Sequence, residues 1–458
     1  MSCEFSSGFS LDGQTRIWYT YMEMEGENNM SYKNLSTEEL KQRHEVLKKQ
    51  YEAKKAEGLK LDMSRGKPNT EQLDISMGMM AALDGHDLIG EQGIDCRNYG
   101  VLDGIIEAKR LLSQMIECPI DDIIIYGNSS LNVMYDTVAR SMTHGVCGST
   151  PWMKLDSPVK FLCPVPGYDR HFAITEVFGI EMISIPMDEN GPDMDLVEKY
   201  VSEDPMVKGI WCVPKYSNPG GVTYSDEVVK RFAALKPAAE DFRIYWDNAY
   251  CIHHLYDEPE KQEHILEILD ECAKAGNPDI VFKFCSTSKV TFPGSGIAAI
   301  ASSPKNIEFI KKHLTIQTIG HDKVNQLRHV KFFGDFDGML EHMKKHAAII
   351  RPKFEIVLDV LDKEIAPLEL AKWSKPLGGY FISLDTMEGC AKRVVTLCAE
   401  AGVVMTGAGA TYPYGKDPQD SNIRIAPTYP SVEELKQACE VLVICIKLAS
   451  VEKLLENK

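Results

Sequence analysis

Between about residues 105 and 302, short runs of apolar, β-type residues alternate along the chain with helical stretches. This alternation is typical of βαβ units, in which parallel strands form a sheet and helices cover its faces. Seven such runs are present: Ile123–Tyr126, Val159–Cys163, Met182–Ile185, Gly209–Val213, Ile244–Trp246, Ile280–Phe284 and Ile297–Ala301. The pattern therefore predicts an α/β fold with a large domain built on a mostly parallel, seven-stranded sheet.

The segments on either side of this region have a different pattern. Ser36 and Glu39 have the spacing of a capping box and start a helix to about Ala56, and Ser431 caps a last amphipathic helix. Between them, the sequence predicts helices at 340–361 and 390–401 and strands at Gly378–Ser383 and Ile423–Ile425. The expected division is an N-terminal extension (1–35), a large domain (81–335) and a smaller α+β domain assembled from residues 36–80 and 336–458.

Composition excludes several classes of protein. The chain has 67 acidic and 50 basic residues, a formal charge of −17, which argues against nucleic-acid binding. Its apolar runs fall short of the roughly 18 to 20 residues that cross a bilayer, and the first 30 residues do not have the pattern of a secretory signal. Thirteen scattered cysteines suggest neither a disulfide framework nor a metal site. We expect a cytoplasmic protein with no metal and no membrane or nucleic-acid partner.

Polar loops follow five of the predicted strands. In open α/β sheets, the crevice beyond the carboxyl ends of the strands is where ligands bind. Asp, Asn and Ser are also ordinary turn formers, so each loop taken alone is equally well explained as a turn. The loops are Gly127–Ser130, Pro164–Tyr168, Ser217–Gly221, Asp247–Tyr250 and Ser286–Lys289.

The order of these loops, followed by Arg424 on a late strand, resembles that of fold type I pyridoxal-phosphate enzymes, and of class I/II aminotransferases in particular. Five further motifs resemble the type Ic aspartate aminotransferase subgroup: Ser64–Pro68, Arg97–Gly100, Gly127–Leu131, Pro166–Arg170 and Asn325–His329. The resemblance covers about residues 36–455. It implies a pyridoxal 5'-phosphate cofactor and a ping-pong transfer of the amino group, from L-aspartate to 2-oxoglutarate, through the pyridoxamine form.

The resemblance also assigns roles around the cofactor ring. Lys289 would form the Schiff base with the cofactor aldehyde and then move the proton between substrate and cofactor. Asp247 would hold the pyridine nitrogen protonated, so that the ring can draw electrons. Tyr250 and Asn218 would hydrogen-bond the phenolic oxygen, and Tyr168 would stack on the ring.

For the cofactor phosphate, the resemblance implies a site at a strand end where a helix begins, since free backbone N–H groups there favour an anion. Ser129, Ser130 and Leu131 would supply it, with a hydroxyl from Ser286. Tyr99 resembles a tyrosine that reaches the phosphate from the neighbouring subunit, which implies a homodimer with shared active sites.

One departure from the family pattern concerns this phosphate. Many relatives have an arginine about two turns after the lysine, where this chain has the segment 293–296, with sequence Pro-Gly-Ser-Gly. Arg65, Lys323 and Arg328 are candidates for the missing charge, and each is equally well explained as a structural or surface cation.

For the substrate, Arg424 matches the arginine whose planar fork binds the α-carboxylate. Gly66 would let the backbone approach the same carboxylate, and Asn218 would contact the substrate as well. No residue was identified for a second, distal carboxylate, so the aspartate preference rests on the resemblance.

Other functions remain open at this level. The chain could be a transaminase for aromatic amino acids, alanine or kynurenine, or a pyridoxal-phosphate lyase or decarboxylase. A cofactor-sensing regulator would need a helix-turn-helix and a basic patch, and the first 36 residues are too short and acidic for that. An inactive scaffold is disfavoured because the residues at 218, 247, 250, 289 and 424 are all retained.

Overall fold

The computed structural model describes residues 31–458, so most of the predicted extension at 1–35 lies outside the described residues. The α-helices in this part of the chain are α1 Thr37–Ala56, α2 Thr70–Asp74, α3 Ile106–Ile116, α4 Ser130–His144, α5 Asp169–Val177, α6 Met194–Glu203, α7 Asp226–Ala233, α8 Ile268–Lys274, α9 Pro304–Gln317, α10 Lys323–Phe333, α11 Phe336–Glu364, α12 Ala391–Glu400 and α13 Val432–Glu456. The strands are β1 Leu61–Asp62, β2 Ile123–Tyr126, β3 Lys160–Val165, β4 Glu181–Asp188, β5 Gly191–Pro192, β6 Val207–Cys212, β7 Arg243–Asp247, β8 Val281–Ser286, β9 Ala298–Ala301, β10 Ala371–Trp373, β11 Ile382–Thr386, β12 Val403–Val404 and β13 Asn422–Ile425.

The large sheet has the strand order β2-β9-β8-β7-β6-β3-β4-β5. The neighbours from β8 through β4 are parallel, and β9 runs antiparallel to both β8 and β2. All seven predicted strands are present, with ends that differ by at most three residues. The expected strand number is wrong by one, because β5 pairs with the end of β4 as an antiparallel hairpin. Its two residues, Gly191 and Pro192, are turn formers and too few to make a periodic pattern.

The central strands are buried on both faces, which explains why they appear in the sequence as continuous apolar runs. Along β7, Ile244 and Trp246 belong to the apolar cluster that includes Phe232 of α7, while Tyr245 between them belongs to the opposite cluster with Phe161. Helices on both faces therefore fix the sheet, and the loops at its edge remain available for a ligand.

Residues from the two ends of the chain share one apolar cluster, which joins residues 32–63 to residues 350–454. Capping boxes start α1 at Ser36 and α13 at Ser431, as the sequence predicted. A second sheet has the order β10-β11-β13, and β1 pairs in parallel with β12. The division into domains at residues 80 and 335 stays a prediction.

The strand predicted at 378–383 is wrong in position, since β11 begins at Ile382. Gly378 and Gly379 form a loop that packs against Tyr216, and Gly379 has a φ of +82°. A Cβ atom at position 378 would lie 2.4 Å from the Tyr216 ring. This close approach accounts for the two glycines, and Gly378 pairs only as an isolated bridge with His254.

The described cysteines, from Cys96 to Cys445, are all free thiols, and most of them are buried. Among residues 31–458, no helix combines the length and apolar character needed to cross a membrane.

Candidate active site

A cleft of about 270 Å³ lies beyond the carboxyl ends of β2, β7 and β8. Because these strands run in the same direction, the loops that follow them meet at one edge of the sheet. Loop residues 66–68, from the N-terminal segment, close the cleft on another side. The predicted site residues that line it are Gly66, Ser129, Ser130, Leu131, Tyr168, Asn218, Asp247, Tyr250, Ser286 and Lys289.

A buried carboxylate lies at the base of the cleft. Asp247, the last residue of β7, is 2% exposed, and its Oδ2 accepts a hydrogen bond from His171 Nε2 at 3.1 Å. The His171 ring stacks on Trp211, with centroids 4.5 Å apart and planes at 12°. Asp247 Oδ1 is buried and has no hydrogen-bond partner among the described residues. A buried acceptor of this kind favours an additional N–H donor from a ligand.

Lys289 lies in the loop after β8, and its Nζ is 4.8 Å from the centroid of the Tyr250 ring. Burial lowers the pKa of the Lys289 ammonium, and the nearby Asp247 carboxylate partly opposes this by raising it. Burial raises the pKa of Tyr250 well above its ordinary value, so this phenol stays neutral. A lysine with a lowered pKa is more readily deprotonated, which is what a nucleophilic amine requires.

The side of the cleft formed by the start of α4 is rich in donors. Ser129 caps this helix, with its Oγ accepting from the Leu131 amide at 3.2 Å. Ser286 Oγ and Ser288 Oγ lie 3.0 Å apart, and Ser288 Oγ donates to the Asn128 carbonyl at 2.8 Å. Hydroxyl groups beside the N-terminus of a 15-residue helix make a suitable site for an anion.

Arg424 of β13 reaches the cleft through Asn218. It is 7% exposed, and its Nη1 donates to Asp169 Oδ1 at 2.8 Å and to Asn218 Oδ1 at 3.3 Å. Its guanidinium carbon lies 4.8 Å from the centroid of the Phe381 ring. The Nε atom is buried without a hydrogen-bond partner in residues 31–458, so the fork retains donor capacity for a carboxylate.

The Phe381 ring also explains why position 66 is a glycine. A Cβ atom at position 66 would lie 2.1 Å from Phe381 Cζ, so only glycine allows the ring its position beneath Arg424. The predicted approach of the Gly66 backbone to a substrate carboxylate stays a prediction.

The three candidate phosphate cations do not line the cleft. Arg65 is exposed, and the Nζ of the buried Lys323 donates to the Gly100 carbonyl at 3.0 Å. Arg328 comes nearest to the segment that replaces the family arginine, because its Nη2 donates to Ser295 Oγ at 2.9 Å.

One further lysine lines the cleft, and the predicted site residue Tyr99 lies outside it. Lys67, which the sequence reasoning missed, lines it, and its Nζ lies 4.0 Å from the centroid of the Tyr429 ring. Tyr99 does not line the cleft of this chain and is 82% exposed.

Sequence reasoning also missed His171 and Asp169, which orient Asp247 and Arg424. Both lie on α5, within three residues of Tyr168, and this proximity to a predicted site residue was the available signal.

Comparison with known proteins connects this geometry to a family. The sequence model for aspartate aminotransferase matches residues 35–458. The chain belongs to the aspartate aminotransferase family. It is 44% identical over 427 residues to the aspartate aminotransferase of Corynebacterium glutamicum, covering 93% of this chain and 98% of that relative. A protein of Mycolicibacterium smegmatis, named only as an aminotransferase, is 46% identical over 94% of this chain and its own full length.

The crystal structure of an aspartate transaminase from Corynebacterium glutamicum has the same fold. It superposes with a TM-score of 0.90 at 44% identity, covering 93% of this chain and all of that one. The expected fold type I architecture and aminotransferase activity are thus confirmed.

Proposed function

We propose that this aminotransferase uses pyridoxal 5'-phosphate and moves the amino group of L-aspartate to 2-oxoglutarate. The observation that carries the proposal is a pair of residues that line the same cleft, Lys289 and the buried Asp247, one of whose oxygens has no partner in the described part of the chain. The name of the Corynebacterium glutamicum relative supports aspartate as the amino donor.

The residues of the cleft fit this cofactor at three points. Asp247 Oδ1 has no hydrogen-bond partner within residues 31–458, and a protonated pyridine nitrogen would supply both a donor and a compensating charge. The serines at the start of α4 and in the Lys289 loop suit a phosphate. Lys289 offers a primary amine with a lowered pKa. When bound, pyridoxal phosphate supplies an aldehyde that takes up amino groups and a ring that withdraws electrons from the substrate Cα.

The protein groups then have distinct tasks. Asp247, oriented by its hydrogen bond from His171, would hold the ring nitrogen of the cofactor through its negative charge. Lys289 Nζ carries the proton that leaves and returns at the substrate Cα, and its lowered pKa favours the neutral, accepting form. Asn218 and Tyr250 are buried donors that would face the phenolic oxygen of the cofactor.

Arg424 would bind the α-carboxylate of the substrate through its planar fork. The distal carboxylate of aspartate needs a second cation, and Lys67 is the candidate. Among the described residues that line the cleft, Lys67 and Lys289 are the cationic side chains. Because Lys289 is assigned to the reaction, Lys67 is the cation that would bind the distal carboxylate and so favour a dicarboxylic substrate.

The functional unit would be a homodimer, located in the cytoplasm. Support for the dimer comes from Tyr99, an exposed aromatic side chain assigned to the phosphate of the neighbouring subunit. Light scattering of the purified protein tests the assembly. Mixing Tyr99→Phe and Lys289→Ala subunits tests the sharing, since hybrid dimers would contain one site with both substitutions and one with neither.

A half-transamination panel tests the activity. Protein loaded with pyridoxal phosphate is mixed separately with aspartate, glutamate, alanine, kynurenine and aromatic amino acids, and conversion of the bound aldehyde to the amine is followed by absorbance. We expect aspartate and glutamate to react fastest and Lys289→Ala to be inactive while remaining folded. Protein that shows no spectral response to pyridoxal phosphate would overturn the proposed cofactor, and faster conversion by alanine or kynurenine would overturn the proposed substrate.

A further inference from the structure

A fully buried glutamine lies behind the catalytic lysine, outside the cleft. Gln72 belongs to the short helix α2 and is 0% exposed. Its Nε2 lies 3.1 Å from His346 Nδ1 and 3.0 Å from the Tyr380 hydroxyl. These two partners come from α11 and from the segment before β11, so Gln72 connects three separate parts of the chain.

The capping box of α2 fixes which way the Gln72 amide faces. The Asn69 backbone N–H donates to Gln72 Oε1 at 3.3 Å, and a backbone N–H can only donate. The Nε2 group must therefore face His346 and Tyr380, with one hydrogen available for each. His346 Nδ1 is then an acceptor, so in the neutral ring the proton is on Nε2.

Both partners of Gln72 pass a hydrogen bond to the backbone of the lysine loop. The Tyr380 hydroxyl donates to the carbonyl of Lys289 at 3.3 Å. His346 Nε2 donates to the carbonyl of Val290 at 2.9 Å, and His342 Nε2 approaches the same oxygen at 2.9 Å. Through Tyr380 and His346, Gln72 is thus connected to two consecutive backbone carbonyls, one of which belongs to the catalytic lysine.

Burial favours the neutral form of this network. Desolvation, together with the neighbouring His342, lowers the pKa of His346 to about 3. Because a protonated His346 could no longer accept from Gln72, the neutral ring and the amide orientation support each other. A buried network with every member paired holds a single geometry, whereas one missing donor leaves polar groups unpaired.

We propose that Gln72 is a positioning residue for Lys289, acting through Tyr380 and His346 on the backbone that carries the reactive amine. The assignment rests on the proposed function only in taking Lys289 as the reacting lysine. Its effect belongs to the proton-transfer steps, because Gln72 is not among the described residues that line the cleft and its Nε2 binds His346 and Tyr380. Displacing a catalytic group slightly reduces the rate of the step it serves while leaving substrate affinity nearly intact.

Two variants test the proposal. Gln72→Leu removes both donors, and Tyr380→Phe removes only the hydroxyl that binds the Lys289 carbonyl. The matched control is Gln326→Leu, which alters another glutamine of 0% exposure whose Oε1 accepts a hydrogen bond from the Ile105 amide at 2.9 Å rather than from a partner of the lysine loop. The control reports what loss of a buried amide does to folding alone.

The first readout is independent of turnover. In the full chain without added cofactor, the rate at which an amine-directed reagent labels Lys289 is measured against pH by mass spectrometry. We expect the labelling midpoint to move upward, toward the ordinary lysine pKa, in Gln72→Leu and in Tyr380→Phe, and to be unchanged in Gln326→Leu. Unchanged midpoints in the first two variants would overturn the proposal, even if both variants lose stability.

The second readout uses protein loaded with pyridoxal phosphate. Gln72→Leu should reduce kcat by about tenfold and change KM for aspartate by less than about threefold. If Gln72 acts through Tyr380, the double variant should lose less than the product of the two single losses. Independent, multiplying losses would refute that route. Turnover that survives Lys289→Ala would instead refute the proposed function, and the labelling midpoint would still report on Gln72.

Discussion

Replacing His171 by phenylalanine isolates the hydrogen bond that orients the Asp247 carboxylate. A phenylalanine ring can keep the stacking on Trp211, now at 4.5 Å, but it cannot donate to Asp247 Oδ2. Since Asp247 Oδ1 has no partner in the described part of the chain, the variant leaves a 2% exposed carboxylate with neither oxygen paired through a side chain. The loss of a hydrogen bond to a charged group costs about 1.5–3 kcal/mol of unfolding free energy.

The assay is urea unfolding of the wild-type and His171→Phe proteins, each with and without saturating pyridoxal phosphate. Without cofactor we expect the full loss of about 1.5–3 kcal/mol. With cofactor the loss should be smaller, because a protonated ring nitrogen gives the carboxylate another partner. Phe172→Leu is the matched control, since it changes the next buried residue of α5 and should cost the same in both conditions.

The cofactor affinity of His171→Phe provides an independent measurement. A less well oriented Asp247 should raise the dissociation constant of pyridoxal phosphate by about tenfold, which corresponds to roughly 1.4 kcal/mol. A variant within about 0.5 kcal/mol of wild type in both unfolding experiments, with unchanged cofactor affinity, would refute the role assigned to His171.

Three more outcomes can be measured. Gly66→Ala should displace Phe381, because the new Cβ would lie 2.1 Å from Phe381 Cζ, and should lower the unfolding free energy by about 1–3 kcal/mol in urea titrations. Lys67→Met should raise KM for aspartate by about tenfold and leave KM for alanine unchanged, and equal effects in steady-state assays would contradict its role with the distal carboxylate. Burial alone would raise the pKa of Asp103, but the neighbouring Lys311 and Lys109 lower it by more, so the pKa of this carboxyl lies below its ordinary value of 3.8. This stabilisation is present above pH 3.8 and is lost as pH falls through the lower, folded pKa, so Asp103→Asn should flatten that part of the acid-unfolding curve.

The strand-end loops were predictable because two regularities act together. Apolar runs located the strands, and parallel strands place their carboxyl ends at one edge, so Asn218, Asp247 and Lys289 had to meet if the strands were adjacent. Sequence order alone does not give the spatial order of strands, and the resemblance to a known family supplied the expectation that these loops share one site. The roles of these residues remain predictions, while their convergence in one cleft is a structural fact.

The residues that were missed share a different property. His171 and Asp169 lie on a helix, and their partners Asp247 and Arg424 are 76 and 255 residues away in sequence. No local pattern marks such a pair, since a helical histidine or aspartate satisfies the same periodicity wherever it points. The role of Gln72 is equally hard to predict from the sequence, because its position in a capping box already explains why a glutamine is found there.

The two sides of the cleft are formed by different parts of the chain. Residues that would hold the cofactor follow strands of the large sheet, whereas Arg424, Phe381 and the loop at Gly66 belong to the segments outside residues 105–302. A shift between these parts would therefore move the carboxylate-binding fork relative to Lys289 while leaving Asp247 and the serines in register with one another. Tyr380 lies at this same junction, where it accepts a hydrogen bond from Gln72 and donates one to the Lys289 carbonyl of the lysine loop. The hydrogen bonds at the junction thus limit how far the side of the cleft with Arg424 can move before Lys289 moves with it.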